Sequence, residues 1–342
     1  MEAAMAEALL RGEIEAQIAA ARAIGNLNTM QKKRVAENGA ISSLIMMLHA
    51  QHYDSIEASL FALLNLAFGS ERAFSSKLIC RNKLLIAEAG AIPALLKIIK
   101  WRNESLMELS LAALLILSSC SRNKLEIASS GAIQLLVELL DSLSQNVGSN
   151  QAKIDVVSTL HNLSTSPQII PLIVACGGAI VLIRLVYELD KSSDLVEKAM
   201  VLLESLVSSS QLALNQVSER DGAIEMVVEA VEEGTAACRE HAAGVLLAIC
   251  KSSRETYRGL ILREGAMPGL LQLSIDGTWL ARKKAKALLL LLREDDDNSS
   301  LSSSSSRGKH SKNAVFKEVM RKIDRAGTSL QMVEEMIAKL RT

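Results

Sequence analysis

The run Arg81-Asn82-Lys83-Leu84-Leu85-Ile86-Ala87-Glu88-Ala89-Gly90-Ala91-Ile92-Pro93-Ala94-Leu95-Leu96 contains the grammar of the whole chain. One apolar run ends on a glycine, and a second opens with a proline inside its first turn. Glycine at such a join adopts, without strain, the left-handed conformation that ends a helix. Proline is tolerated where a helix begins. The phrase of glycine followed by Ala-Ile or Ala-Met recurs at Gly39, Gly90, Gly131, Gly178, Gly222 and Gly265, in steps of 51, 41, 47, 44 and 43 residues. A period in the low forties belongs to helical solenoids or to propeller blades. Propellers need β-branched and aromatic strands with Gly-His and Trp-Asp signals. With 3% aromatic residues and no such signals, this chain reads as a solenoid.

Each unit reads as three helices: a short one before the glycine, a second after it, and a longer third such as Glu104 to Ser118, apolar over most of its circumference because it packs on both neighbouring units. The third helices align as Arg22-to-Leu27, Phe61-to-Leu66, Ala112-to-Leu117, Ser158-to-Leu163, Val201-to-Leu206, Gly244-to-Ile249 and Ala287-to-Leu292. That is one more than the glycine phrases, so the first unit reads either as one that lacks its first helix and caps the array or as a fragment of something longer. Deleting Ala73 to Arg81 from the 51-residue step leaves 42 and restores the wording of the next unit, which predicts a dispensable inserted loop at 73–81. The domain reading is a solenoid over 1–294, a Ser-rich flexible linker over 295–313, and a basic helical tail over 314–342. From Ser300 onward nine Lys or Arg face four Asp or Glu.

Over 342 residues, 38 basic side chains balance 38 acidic ones, which argues against general binding to nucleic acid or to an acidic membrane. The five cysteines have no paired spacing and read as small buried residues of a reducing compartment. The start of the chain lacks the pattern of a signal peptide. The uncharged stretch Ile169 to Ile183 is interrupted by Pro171 and Gly177-Gly178, and it is too short for a membrane span. These features predict a soluble intracellular protein, cytoplasmic or nuclear.

The three-helix unit, the Asn-Lys pair before the glycine and the opening Gly90-Ala91-Ile92-Pro93 resemble the armadillo repeat. Within that superfamily, Arg81-Asn82-Lys83 through Leu96, together with Leu63-Leu64-Asn65-Leu66, is similar to the armadillo region of plant U-box ubiquitin ligases. The resemblance covers Met1 to Arg293. It implies an all-α, right-handed superhelical solenoid and a role in protein–protein recognition. No part of the chain is free to form the U-box that docks a conjugating enzyme. The Trp-x-x-x-Asn pairs of importin-α-like receptors are missing as well: Arg22, Phe61 and Ser158 stand four before the asparagines.

Searches for chemistry lead back to structure. His49 and His52 lack a nearby third metal ligand. No phosphate-cradling glycine loop, nucleophile elbow or Cys/His pair is present. The reading is therefore a non-catalytic scaffold with no cofactor, no metal, no small-molecule substrate and no membrane insertion. The basic run Arg282-Lys283-Lys284-Ala285-Lys286 reads as a solvated terminal face, with an anion-binding or nuclear-targeting surface as the alternative.

The stacked third helices should line a concave groove on the order of 50–60 Å long, suited to an extended peptide or a partner helix. Positions four, seven and eleven before the asparagine of each third helix share its face. This gives Asn26, Arg22 and Glu15; then Asn65, Phe61 and Asp54; then Asn162, Ser158, Asp155 and Gln151. Ser205, Lys198, Asp194 and His241 follow, while Ile116, Ala112 and Leu109 form an apolar step. The asparagines read either as a ladder for a peptide backbone or as caps on neighbouring helix ends. As a ladder they concentrate binding toward the N-terminal half, with Phe61 as an apolar anchor.

Overall fold

The computed structural model describes residues 2–68, 76–144 and 149–293; the linker and tail expected over 295–342 lie outside them, as do Ala73 to Ser75. The described residues form helices and no strand. They divide into two compact units, Met1–Val181 and Leu182–Thr342, the division falling inside one helix.

In the first unit the order is α1 (Glu2–Arg11), α2 (Ile14–Ala23), α3 (Thr29–Glu37), α4 (Ala40–Leu48), α5 (Tyr53–Ala67), α6 (Ser76–Glu88), α7 (Ala91–Lys100), α8 (Glu104–Ser118), α9 (Lys124–Ser129), α10 (Ala132–Ser144), α11 (Asn150–Ser164) and α12 (Ile170–Ala175). Helix α13 (Gly178–Glu188) crosses the division. The second unit continues with α14 (Asp194–Ser209), α15 (Gln211–Ser218), α16 (Ala223–Glu233), α17 (Ala236–Ser252), α18 (Arg254–Arg263), α19 (Met267–Asp276) and α20 (Trp279–Leu292). The third helices are α2, α5, α8, α11, α14, α17 and α20, and α1 packs against α2 and α4. In unit 1, α5 packs between α2 and α8, and α8 against α11; in unit 2, α17 packs between α14 and α20. The interior is aliphatic, with Leu60, Leu111 and Leu114 wholly buried in unit 1 and Leu203, Leu246 and Leu288 in unit 2. Burial of such side chains contributes roughly 1.5–3 kcal/mol each, which explains why a chain so poor in aromatics can hold a core.

Local chemistry fixes the ends of these helices. Asn103, Ser149, Ser193, Thr235 and Thr278 cap the N-termini of α8, α11, α14, α17 and α20 with side-chain oxygens. Five of the six phrase glycines hold positive φ. The fourth corrects the reading: Gly177, not Gly178, takes φ +84°, and Gly178 is the first residue of α13. Gly178 is needed for space instead, because a Cβ there would lie 2.7 Å from the Ile173 side chain.

The inserted loop is also corrected. Ser76 to Arg81 are helical and extend α6 at its N-terminus. Arg81 reaches Glu37 of the preceding unit at 2.9 Å. The six residues Ser76 to Arg81, which contain no Gly or Pro, continue the helix backwards from Asn82 by less than two turns, so this part of the surplus length is added to an element. Excising 76–81 would remove helix and the Arg81 contact to Glu37.

The Asn-Lys pair is a tie between units. Asn82 is buried and donates to the Leu66 carbonyl at 2.9 Å, closing the end of α5. Asn123, one repeat on, donates to the Leu117 carbonyl at 3.2 Å and the Lys83 carbonyl at 3.1 Å. Lys83 donates to the Ser119 hydroxyl at 2.8 Å, and Lys124 donates to the Thr165 hydroxyl. Asn123→Ala should therefore cost on the order of 2 kcal/mol, because it strands buried carbonyls, whereas exposed Asn26→Ala should stay within about 0.5 kcal/mol. Thermal unfolding followed by circular dichroism checks the pair: a fall of several degrees for the first and almost none for the second.

Candidate functional site

The face expected to bind is formed, in unit 1, by α2, α5, α8 and α11. Arg22 is exposed on α2 and lies 3.9 Å from the Glu57 carboxylate on α5. Asn26 is exposed at the close of a 3-10 turn, Ile24–Asn26, into which α2 tightens. Asp54 is exposed in the first turn of α5. Phe61, one helical turn before Asn65, is a large apolar side chain that is 47% exposed. Leu109 and Ile116 are half-buried on α8, as is Ser158 on α11. On α11, Gln151 donates to the buried Asp155 carboxylate at 2.8 Å. Burial pushes that carboxyl up, the Gln151 bond draws it down, and Glu108 adds to the rise.

Two of the asparagines, Asn65 and Asn162, are engaged within the protein. Asn65 donates to the Phe61 carbonyl at 2.9 Å and accepts from Lys32 at 3.4 Å. Burial lowers the Lys32 ammonium from its ordinary value. Asn162 donates to the Ser118 hydroxyl at 3.0 Å and toward the Leu115 carbonyl at 3.5 Å, so it caps the end of α8. Of the two readings of these residues, capping describes Asn162, and Asn65 is held by its own helix.

In unit 2 the corresponding face belongs to α14, α17 and α20. Lys198 is exposed and Ser205 half-buried on α14. His241 joins a cluster whose centre the sequence reading missed. Its Nδ1 lies 2.6 Å from the Glu204 carboxylate, and Lys284 Nζ lies 2.7 Å and 2.8 Å from the two oxygens of that carboxylate. Glu240 stands 3.8 Å from Lys284. Glu204 and Lys284 are mostly buried. Gly244 makes this possible, since a Cβ there would fall 1.8 Å from Glu204 Oε1. Glu204 thus crosses α17 through the space left by a missing side chain. Gly244 itself was the legible signal, because glycine inside a helix costs about 1 kcal/mol relative to alanine and needs a reason. A cavity of about 550 Å³ opens beside the cluster, lined by Ser208, Gln211, Leu247, Lys251 and Lys284 among others.

Other sequence expectations find their places. His49 and His52 are exposed, and no group of three metal-ligating side chains occurs among the described residues. Lys284 is taken into the cluster, while Lys283 stacks over Trp279 at 5.3 Å, so the basic run is not one uniform solvated face. Ile169 to Ile183 bends by 71° between two helices, and no described helix is long and apolar enough to cross a membrane.

Comparisons with known proteins agree with the repeat reading. The family profile "Plant U-box protein ARM repeat region" matches residues 123–313, more than half of the chain. U-box domain-containing protein 17 of Arabidopsis thaliana is 32% identical over 142 residues, covering 41% of this chain and 19% of its own length. U-box domain-containing protein 45 of the same plant is 27% identical over 260 residues, covering 74% of this chain and 31% of its own. The chain therefore spans less than a third of the length of these relatives. Among solved structures, an engineered protein matches with TM-score 0.66 at 18% identity, over 99% of this chain and 87% of its own. A designed armadillo repeat protein matches with TM-score 0.56 at 17% identity, over 85% of this chain and all of its own. At such identity these likenesses establish the fold, an all-α armadillo array.

The Glu204 cluster generates a pH prediction. Burial alone would raise its carboxyl, but hydrogen bonds from His241 and Lys284 outweigh burial and hold it below the ordinary 4.5. A carboxyl depressed in the folded state stabilises above its unfolded pKa and loses that contribution as pH falls through the folded value. The stability difference between wild type and Glu204→Gln should thus be flat above about pH 4.5 and shrink below it, as read by urea unfolding at stepped pH. Gly244→Ala should lower stability at neutral pH and flatten the same profile, because its methyl group displaces the carboxylate.

Proposed function

The chain belongs to the plant U-box protein armadillo-repeat family, and from that premise we propose that it is a non-catalytic interaction scaffold that holds an extended protein segment on the third-helix face of unit 1. The exposed Phe61 ring carries this reading. It sits one turn from Asn65, on the helix whose Glu57 pairs with Arg22, and the half-buried Leu109 and Ile116 continue the apolar strip on the next third helix. Aromatic side chains are enriched among the residues that carry most of the binding energy at protein interfaces. Asn26, exposed and without a partner role in a helix end, and the second amide proton of Asn65 supply backbone-directed hydrogen bonds beside it. In unit 2, Lys198, Ser205 and His241 occupy the equivalent face, where His241 is held by Glu204 and serves the scaffold first.

A second reading is favoured by the family match and by the U-box relatives: the chain is the substrate-recognition part of a U-box-type ubiquitin ligase system. Under it, a U-box supplied by a partner or a longer form performs conjugation, and this chain selects what is conjugated. Both readings place the protein in the cytoplasm or the nucleus, with a protein as its partner.

Selection of binders from a displayed library of extended peptides tests the surface. Phe61→Ala should weaken selected binders on the order of tenfold, or about 1.4 kcal/mol, with little change in Tm, since the ring is already half in water. Glu126→Ala on α9, away from that face, should bind as wild type. Equal losses for both, or none for Phe61→Ala, would reject the assignment. In a reconstituted reaction with activating and conjugating enzymes, the purified chain alone should build no ubiquitin chains.

A further inference from the structure

Two cysteines 40 residues apart in sequence meet in unit 1. The Sγ atoms of Cys80 and Cys120 are 3.0 Å apart, about 1 Å beyond a covalent S–S bond. Cys80 lies in the N-terminal extension of α6, and Cys120 follows the end of α8 at the head of a 3-10 turn. The approach is held by the bonds already described: Lys83 donates to Ser119, the neighbour of Cys120, and Asn123 donates to the Lys83 carbonyl. Buried Asn82, two residues from Cys80, is fixed on Leu66. Lys83, three residues after Cys80, is thus bonded to residues on either side of Cys120, which holds the two sulfurs close.

We propose that Cys80 and Cys120 form an oxidisable pair that closes to a disulfide linking two successive repeats when a hydroperoxide reaches it. Their exposures divide the roles. Cys80 is half-exposed and meets the oxidant, while Cys120, 3% exposed, waits behind it as the resolving thiol. The Cys80 thiolate attacks hydrogen peroxide; an S–O bond forms, the O–O bond breaks, and hydroxide leaves to become water. Cys120 Sγ then attacks the Cys80 sulfur; the S–S bond forms, the S–O bond breaks, and the departing hydroxide takes the Cys120 proton as a second water. Two thiols and one peroxide give one disulfide and two waters, and a dithiol reductant reverses the change.

The hydrogen bond with Cys120 raises the Cys80 thiol, burial and the charge of Cys120 add to the rise, and Lys83 and Arg122 draw it down. Cys80 is thus held as a thiol at neutral pH and oxidises faster as pH rises. Cys238 and Cys250, by contrast, stand twelve residues apart on α17, about 18 Å along its axis.

The test uses the full chain exposed to graded hydrogen peroxide, blocked with N-ethylmaleimide and mapped by mass spectrometry without reduction. Wild type should lose two of its five thiols and yield a Cys80–Cys120 linked peptide, both restored by dithiothreitol. Oxidation should slow hydrogen exchange in Ser76 to Glu88 and raise Tm by a few degrees. Cys80→Ser should keep its four thiols at the same dose. Cys120→Ala should instead carry Cys80 to sulfinic acid. Should Cys120→Ala fail to fold, the Cys80→Ser comparison decides alone. Thiol loss without the linked peptide, or equal loss in Cys80→Ser, would overturn the proposal.

Discussion

The array depends on how the last turn of each long helix is closed. A helix leaves four carbonyls without partners at its C-terminus, and in a stack those carbonyls are covered by the next unit and cannot all turn to water. Here the next unit supplies the donors. Asn82 closes α5, Asn123 closes α8, and Asn162 adds a further donor to α8 from the other side. At α20 the donor comes instead from the first helix of its own repeat: Arg258 on α18 donates to the Leu292 carbonyl, where the helix dipole also favours a cation. The bonds that satisfy one helix thereby set the spacing of its neighbour, so capping and stacking are one interaction.

Most of this was legible because the repeat is written in residues with narrow physical roles. Glycine at a left-handed join and apolar runs at helical spacing identify the three-helix unit without further information, and six of the seven aligned third-helix segments lie inside long helices; in the first, Arg22 to Leu27, α2 ends at Ala23 and a 3-10 turn follows. The misreadings share one cause. Where two residues of the same type compete, as at Gly177-Gly178, or where a surplus segment has no breaker, as at 76–81, one-dimensional spacing does not say which residue meets the packing. The Asn-Lys pair was visible as wording, yet its role needed the third dimension, since Asn82 and Lys83 point to different units.

The candidate surface was less legible. Helical periodicity placed Arg22, Phe61 and Asn65 on one face, and the Arg22–Glu57 approach agrees with it. It did not tell that Asn162 spends its amide on Ser118, because an asparagine that caps and one that awaits a peptide have the same spacing. Glu204 went unread for a different reason: its partners lie 37 and 80 residues away, and only the gap at Gly244 connects them.

That gap bears on how the second unit comes apart. In a simple repeat array each unit senses only its immediate neighbours, and ends fray one repeat at a time. Glu204 on α14 instead reaches past α17 to Lys284 on α20, a link between repeats that are next-nearest neighbours. Releasing α20 from the end of the stack therefore strips a mostly buried carboxylate two repeats away of its ammonium partner. A pull on the C-terminal side would meet three long helices yielding as a block, where a strictly nearest-neighbour array would peel helix by helix.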